Sequence, residues 1–377
     1  MMMGRTSTGC LFCDRLPGGQ NTNQRRCHMY YMGIDHHKQS SHLTILDEQG
    51  DVIKEGPVVN RRVELESFLE GFPGDLKAVI EAGRSSYTMV DMLDELGVGV
   101  AIAHPYQVKA IASAKIKTDK RDSKILAQLL RLNMIPEVYR RSAENREAQR
   151  IIRNRMFYVQ IQTKLKNKIR ALLAKQGEEI RQLTDVKDKL FSKKGLEILR
   201  QIDLSEKDKE VMFSLVDTLE HIQEKISYSD KLVDKLYAES PEAQLIFTIP
   251  GFGVFLSVLV ATEIAEIRRF GSVSNLHSYA GVIPSTHSSG GKLYHGRLVK
   301  EGNKRLRWGL IEAVWPAIQK DIILRIYYQK RRAKKGANTA KVATARRLLS
   351  IIYSILREER PYVTLMDNKR PAAFSQN

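Results

Sequence analysis

Apolar residues fall along this chain in two periods, and the switch between them divides it. In the first part they alternate with polar ones or run in short blocks. Tyr30–Asp35 comes first. His42–Leu46 follows, with Leu43 and Ile45 on one side, and Asp51–Val59 returns after the turn Asp47-Glu48-Gln49-Gly50. That pattern predicts three strands in a meander. Leu76–Glu81 and Val98–Ala103 predict two more buried strands, the second ended by His104-Pro105. Helical spacing predicts helices over Arg61–Leu69, with Val63, Phe68 and Leu69 inward, over Ser86–Leu96, and near Val108–Ala114 and Lys120–Asn133. Between Pro136 and Pro241 there is no proline, and the period becomes helical throughout: Ile161, Leu165, Ile169 and Leu172, then Met212, Leu215, Leu219, Ile222 and Ile226. Two long helices joined near Asp185–Lys194 are expected, folded as an antiparallel hairpin or coiled coil. After Pro241 come an apolar helix from Val254, a helix over Leu276–Gly281 with a glycine cap, and a helix carrying Leu306, Leu310 and Ala313. A last helix lies near Ala340–Leu356. Trp308 and Trp315, on the third of these, are expected in the core.

Strands in a meander, then strands alternating with helices, give an α+β protein with a mixed sheet flanked by helices. The ribonuclease H-like fold has this order of elements. The expected divisions are a disordered leader (1–29), the sheet domain (30–142), a long helical coiled-coil linker (143–240), a mostly helical C-terminal domain (241–330), and a basic helix and tail (331–377). The leader holds Cys10, Cys13 and Cys27, with His28 beside the last. That spacing admits a zinc site. A segment rich in Gly, Arg, Asn and Gln, without periodicity or the apolar core of a secretory signal, favours disorder, or an over-long gene start before Met29.

Charge narrows the partners. The 377 residues include 61 Lys and Arg against 43 Asp and Glu, a net charge of +18. This excess favours a nucleic-acid partner over an acidic membrane surface. No apolar run reaches the ~18 residues of a spanning helix; Val254–Ile267 is shorter and broken by Thr262 and Glu263. A soluble protein of the cytoplasm is expected. The basic helix from Arg150 to Arg170 admits two readings, a solvated face or a nucleic-acid contact.

Four carboxylates stand apart from this basic background. Asp35 and Glu81 each end an apolar strand, and Asp119 and Asp122 open a helix three residues apart. Placed together, they offer the oxygen ligands that hard divalent cations require. Two-metal phosphoryl-transfer sites are built from such sets. Thr248-Ile249-Pro250-Gly251-Phe252-Gly253 precedes the apolar helix and resembles a helix-hairpin-helix turn, in which Gly251 and Gly253 would leave backbone N–H groups free for phosphate. Such a turn also simply connects packed helices. Pro284–Lys292 reads as a loop by composition, and a serine of Ser288-Ser289-Gly290-Gly291-Lys292 is a candidate nucleophile, with Lys292, Arg297, Lys300, Lys304, Arg305 and Arg307 near in sequence to neutralise phosphate. A solvated linker is the plainer reading of that loop.

Met32-Gly33-Ile34-Asp35-His36-His37-Lys38, Glu81-Ala82-Gly83 and Lys117-Thr118-Asp119-Lys120-Arg121-Asp122 resemble the DEDD motif of the insertion sequence 110 family of transposases. Ile249–Gly253, Arg269-Phe270, Tyr279–Pro284, Ser288-Ser289-Gly290-Gly291-Lys292 and Gly302–Arg307 are similar to that family's C-terminal half. Gly83-Arg84 departs from the more usual Thr-Gly, and His36-His37 falls at a variable site. The resemblance implies a RuvC-like domain, a coiled-coil linker and a transposase domain. It implies magnesium on Asp35, Glu81, Asp119 and Asp122, and a catalytic serine at Ser289 that links covalently to DNA. It also implies element-end and target DNA as partners, a structured guide (bridge) RNA, and a dimer or tetramer that assembles composite sites. A bacterial or archaeal protein of the nucleoid follows. The residues alone leave two rivals: a RuvC-like metal-dependent nuclease and a non-enzymatic nucleic-acid-binding protein.

Overall fold

The computed structural model describes residues 28–71, 75–112, 118–178, 180, 187–289, 292–298 and 302–363; side chains are described for these except residues 187–188, 285–289 and 292–298. The cysteine-bearing leader lies outside them. The chain forms two compact units, Met1–Arg140 and Arg141–Asn377.

The first unit is a five-stranded mixed sheet. β1 (Met29–His36), β2 (Ser40–Leu46) and β3 (Val52–Val59) form an antiparallel meander. β4 (Asp75–Glu81) and β5 (Gly99–Ala103) then add in parallel beside β1, giving the order β3-β2-β1-β4-β5. The helices that lead into β4 and β5 cover one face, and two helices that follow β5 cover the other. One face packs on α1 (Arg62–Leu69) and α2 (Ser86–Glu95) through Met32, Ile34, Leu43, Ile45, Ile80, Leu65, Met89 and Leu93. The other face packs Val79 and Ala103 with α3 (Pro105–Ile111) and α4 (Asp119–Arg131) through Val108, Leu126 and Leu129. In α1 the inward residue is Leu65, fully buried, whereas Val63, expected inside, is 71% exposed. Leu65 lies three and four residues before Phe68 and Leu69, on their face; Val63 lies off that stripe.

One close approach fixes α4 on the sheet. A Cβ at Gly33 would lie 1.9 Å from the Ser123 carbonyl oxygen and 2.5 Å from the Ala127 nitrogen. Only glycine lets the helix backbone rest on β1 here. The Ser123 hydroxyl, buried at this contact, meets Thr44 Oγ1 at 2.8 Å and His42 Nδ1 at 3.0 Å, tying α4 to β2.

The second unit is helical apart from one hairpin. α5 (Ala143–Leu173) leads through a 3-10 turn (Lys187–Phe191) and α6 (Lys193–Gln201) into α7 (Glu206–Glu239). The connection near 185–194 thus carries helix of its own. α5 and α7 run antiparallel, since Arg155 pairs with Asp230 and Gln176 with Asp208. Ile169, Leu173, Leu196, Met212 and Val216 close the core at one end of this pair. A larger core joins Ile152 and Val233 to α8 (Pro241–Phe247), α9 (Val254–Ile264), α10 (Val273–Ala280), α11 (Lys304–Lys320), α12 (Ile322–Lys335) and α13 (Ala337–Glu358). α12 runs through the expected division at 330–331, and Leu348, Leu349 and Ile352 of α13 are fully buried in the same core as α8. Trp308 and Trp315 are 40% and 58% exposed, against the expectation of burial. The inward stripe of α11 is Leu306, Leu310, Ala313 and Ala317, and the two indoles lie off it.

Gly33→Ala is expected to lower stability by more than about 2 kcal/mol, because neither backbone can move without breaking sheet or helix. Denaturant melts of the two proteins check this; equal midpoints would mean that α4 is not held by this contact.

Candidate active site

Strand alternation sends Gly33 and Asp35 to the face of β1 that α4 covers, and His37 follows just past the end of the strand. The β1–β4 register pairs Gly33 with Val79 and Ile34 with Ile80, so Glu81, next along β4, falls beside Asp35. Gly33 seats Ser123, and Asp119 lies one helical turn before Ser123, with Asp122 adjacent to it. The sheet and α4 therefore deliver acidic residues to one edge. Thr118 caps α4, its hydroxyl accepting from the Arg121 N–H at 3.3 Å. The carboxylates of Asp119 and Asp122 gain from the positive end of the helix.

Asp35, His37 and Asp119 each bring a ligand atom within 4.8 Å of the others. His37 Nε2 is 3.4 Å from Asp35 Oδ2 and 3.3 Å from Asp119 Oδ2. Asp35 is the least exposed of the three, at 23% of its side chain. Burial raises its pKa, and the nearby negative charges of Asp119 and Asp122 raise it further, while His37 and His42 oppose the rise. Carboxylates that repel one another in this way are suited to a divalent cation. The donor set of carboxylate oxygens and one imidazole fits that group. Glu81 is exposed at the end of β4, outside the three-residue set.

His37 was not singled out from the sequence. The available signal was its place two residues after Asp35, just past the end of β1. His36 points the other way: its ring nitrogens meet Ser41 Oγ at 2.8 Å and Ser85 Oγ at 3.0 Å, and burial lowers its pKa.

In the second unit, Ser289 ends β6 (Pro284–Ser289), which pairs antiparallel with β7 (Lys292–Leu298); Ser288 faces Leu293 and Ser289 faces Lys292 in the register. This segment, expected as a loop, is a hairpin. Two short strands separated by Gly-Gly are a hairpin signal that polar composition obscured. Gly290 and Gly291 lie outside the described residues, as does Lys300. The feet of the hairpin are pinched: Gly281 is left-handed at φ 65°, and a Cβ at Gly302 would lie 2.4 Å from its backbone. Arg307 donates to the Gly281 carbonyl at 3.2 Å. Asn303 caps α11, accepting from the Arg305 and Leu306 N–H groups, and Lys304 and Arg305 are exposed just beyond it.

The turn between α8 and α9 contains Gly251 at φ 99°, where a Cβ would lie 2.6 Å from Ala317 N and 2.8 Å from Ala313 O. Gly251 thus packs the turn onto α11. Gly253 is exposed at the start of α9, with open space around it.

Sequence reasoning also passed over Glu263, noted only as an interruption of an apolar run. Its carboxylate is 4% exposed and lies 3.7 Å from Arg141 and 3.6 Å from Arg153. Gln149 donates to it at 3.2 Å and Asn303 at 2.8 Å. A buried charge inside an otherwise apolar helix is the feature that marks it.

Residues 32–176 match a DEDD-type IS110 model described as a transposase, and residues 243–329 match a model described as a transposase of the IS116/IS110/IS902 family. These matches span both units and make the chain a transposase. It is 25% identical over 345 residues to the transposase for insertion sequence element IS1111A of Coxiella burnetii, covering 88% of this chain and 90% of that protein. It is 23% identical to a probable family 20 transposase of Pseudomonas aeruginosa, over 88% of this chain and 98% of that one. A pilin gene-inverting protein of Moraxella bovis is 31% identical over 160 residues, 39% of this chain and 48% of that protein. The chain belongs to the insertion sequence 110 family of transposases. Among the described residues, no helix is long and apolar enough to cross a membrane.

The raised pKa of Asp35 has a sign that can be measured. The folded protein keeps this proton to higher pH than the unfolded chain, so the group's contribution to stability is full below the unfolded pKa. It is lost as pH rises from that value, about 4, through the folded one. In chelator, wild-type melting temperature is expected to fall more steeply over this window than that of Asp35→Asn. Identical slopes would remove the carboxylate repulsion. Asp119→Asn is expected to weaken divalent-cation binding at least about tenfold, read by calorimetric titration.

Proposed function

We propose that this protein is a DNA recombinase that moves its own insertion element, using Ser289 as nucleophile and magnesium held by Asp35, Glu81, Asp119 and Asp122. The observation that carries the reading is the convergence of Asp35 and Asp119 on one edge of the sheet, with Asp122 close enough to raise the Asp35 pKa. The strand order β3-β2-β1-β4-β5 supports assigning the first unit to the ribonuclease H/RuvC-like class. A divalent cation bound there would stabilise charge on a reacting phosphate.

The serine step exchanges one phosphoester for another. The Ser289 oxygen bonds to the scissile phosphorus as the bond from phosphorus to one bridging oxygen breaks, and that oxygen leaves with a proton. The number of phosphoester bonds is unchanged, so a second strand's hydroxyl can attack the phosphoserine and reseal without ATP. The pilin gene-inverting relative supports DNA rejoining rather than simple cutting. Element-end and target DNA are the substrates, selected through a guide RNA, and the working species is a homo-oligomer, a dimer or tetramer. Gly251, Gly253, Lys292, Lys304, Arg305 and Arg307 are the proposed phosphate contacts of the second unit.

Ser289→Ala is expected to bind element-end DNA as wild type does, yet to form neither a covalent adduct nor recombinant product. Wild type on nicked element DNA is expected to give a species that survives denaturant and disappears with protease. Full recombination by Ser289→Ala would move the protein to the metal-dependent nucleases. Because the net charge is +18, nucleic-acid affinity is expected to fall by orders of magnitude as salt rises from 50 to 200 mM. A flat titration would exclude phosphate-dominated binding.

A further inference from the structure

Glu263 is encircled by more positive charge than it balances. Arg141 donates to the Thr262 and Glu263 carbonyls at 2.7 and 2.9 Å and to Tyr279 Oη at 2.8 Å, so its guanidinium is held inside the fold. Arg153 approaches the other carboxylate oxygen at 3.6 Å, yet 42% of its side chain reaches solvent. Asn303, which also donates to Glu263, accepts from the Arg305 N–H at 3.1 Å. Asn303 thus links the start of α11, where Arg305 lies, to the carboxylate that Arg153 approaches. Arg305 is exposed and makes no ion pair among the described residues. Burial lowers the Arg153 pKa, Glu263 opposes this, and the neighbouring charges of Arg305 and Arg141 lower it further. Two guanidiniums therefore share one carboxylate, and the charge of a third, Arg305, lies close enough to act on Arg153.

Aromatic surface adjoins this charge on both sides. Trp308 follows Arg305 by three residues on α11, on the same helical face, and stands edge-on to Phe255 at 6.4 Å between ring centres. Arg155 covers Phe255 at 4.1 Å, and the Trp308 indole is 40% exposed. Phe157 follows Arg153 by four residues on α5 and is 55% exposed. Guanidiniums that bind phosphate, beside exposed rings on which bases stack, are the two components of single-strand recognition.

We propose that Arg153, Arg305 and Trp308 form a subsite for one unpaired nucleotide, the phosphate lying between the two guanidiniums and the base stacked on the Trp308 indole. The subsite rests on the nucleic-acid reading given above and deepens it, because duplex phosphate contact needs no exposed indole. Paired bases keep their faces inside the helix, so the nucleotide comes from unpaired RNA or from a displaced DNA strand. Both offer the same phosphate and the same ring face.

The chain has two tryptophans, so Trp315→Phe leaves Trp308 as the only indole reporter. Single-stranded DNA, RNA of the same sequence, and the DNA duplex are titrated against this protein, with indole emission and the anisotropy of a labelled strand read together. Single strands are expected to quench Trp308 and the duplex to leave it unchanged; the stronger quencher of DNA and RNA identifies the source. Arg305→Gln, an exposed change, is expected to weaken single-strand binding by roughly tenfold and reduce the salt slope by about one. Binding seen by anisotropy with Trp308 emission unchanged would overturn the subsite alone. Equal quenching by duplex would overturn base stacking, and an unchanged salt slope in Arg305→Gln would overturn the phosphate contact. A protein that bound none of the three would overturn the subsite and the nucleic-acid reading together.

Discussion

The contact between Gly33 and the backbone of α4 organises the first unit. It is a steric condition: two main chains approach more closely than any side chain permits, so the helix has one seat on the sheet. Once seated, its axis and rotation are set, because Ser123 must reach Thr44 and His42 while Leu126 and Leu129 cover Val79. Asp119 and Asp122 then have no freedom to lie elsewhere. Asp35, two residues along the same strand face, meets them without a loop having to fold correctly first. Repelling carboxylates are costly to hold together. Here the cohesion comes from the apolar layer behind them, and the acidic edge is carried on rigid elements.

In the second unit a buried polar hub has the corresponding role. Glu263 draws on α5 through Gln149 and Arg153, and on the start of α11 through Asn303. Tyr279 of α10 bonds its backbone carbonyl at 3.1 Å. Apolar packing tolerates sliding, whereas a carboxylate with specific donors does not. Buried ion pairs add little net stability, but removing one partner strands the other. The hub is better understood as setting the alignment of the three helices, and with it the pinched feet of the β6–β7 hairpin, than as the source of cohesion.

Much of this was legible in the sequence, for reasons that differ by region. The strand meander, the parallel pair and the helices from α2 to α5 follow from period and punctuation, which are local. The placement of Asp35, Asp119 and Asp122 at one edge was readable because strand ends and helix starts are where such residues converge. His37 lies just past the end of β1, where strand alternation no longer fixes a side chain's face. The hairpin carrying Ser289 was hidden because serine, histidine and glycine dominate its composition. Trp308 and Trp315 were misassigned because aromatic size suggests burial, whereas the narrow stripe of Leu306, Leu310, Ala313 and Ala317 had already filled the inward face. Glu263 could be noticed in the sequence but not interpreted, since its donors come from residues 114 before and 40 after it.

The place of α13 bears on how such a protein fares as its gene decays. Leu348, Leu349 and Ile352 sit in the same core as Ala243 and Ile246, so the second unit cannot close until this late helix has been synthesised. A reading frame interrupted before α13 yields a chain whose first unit has its complete sheet and whose second exposes a large apolar surface. Such a product is a substrate for proteases and chaperones rather than a partially working enzyme. Late frameshifts therefore cost the second unit its core while leaving the sheet of the first intact.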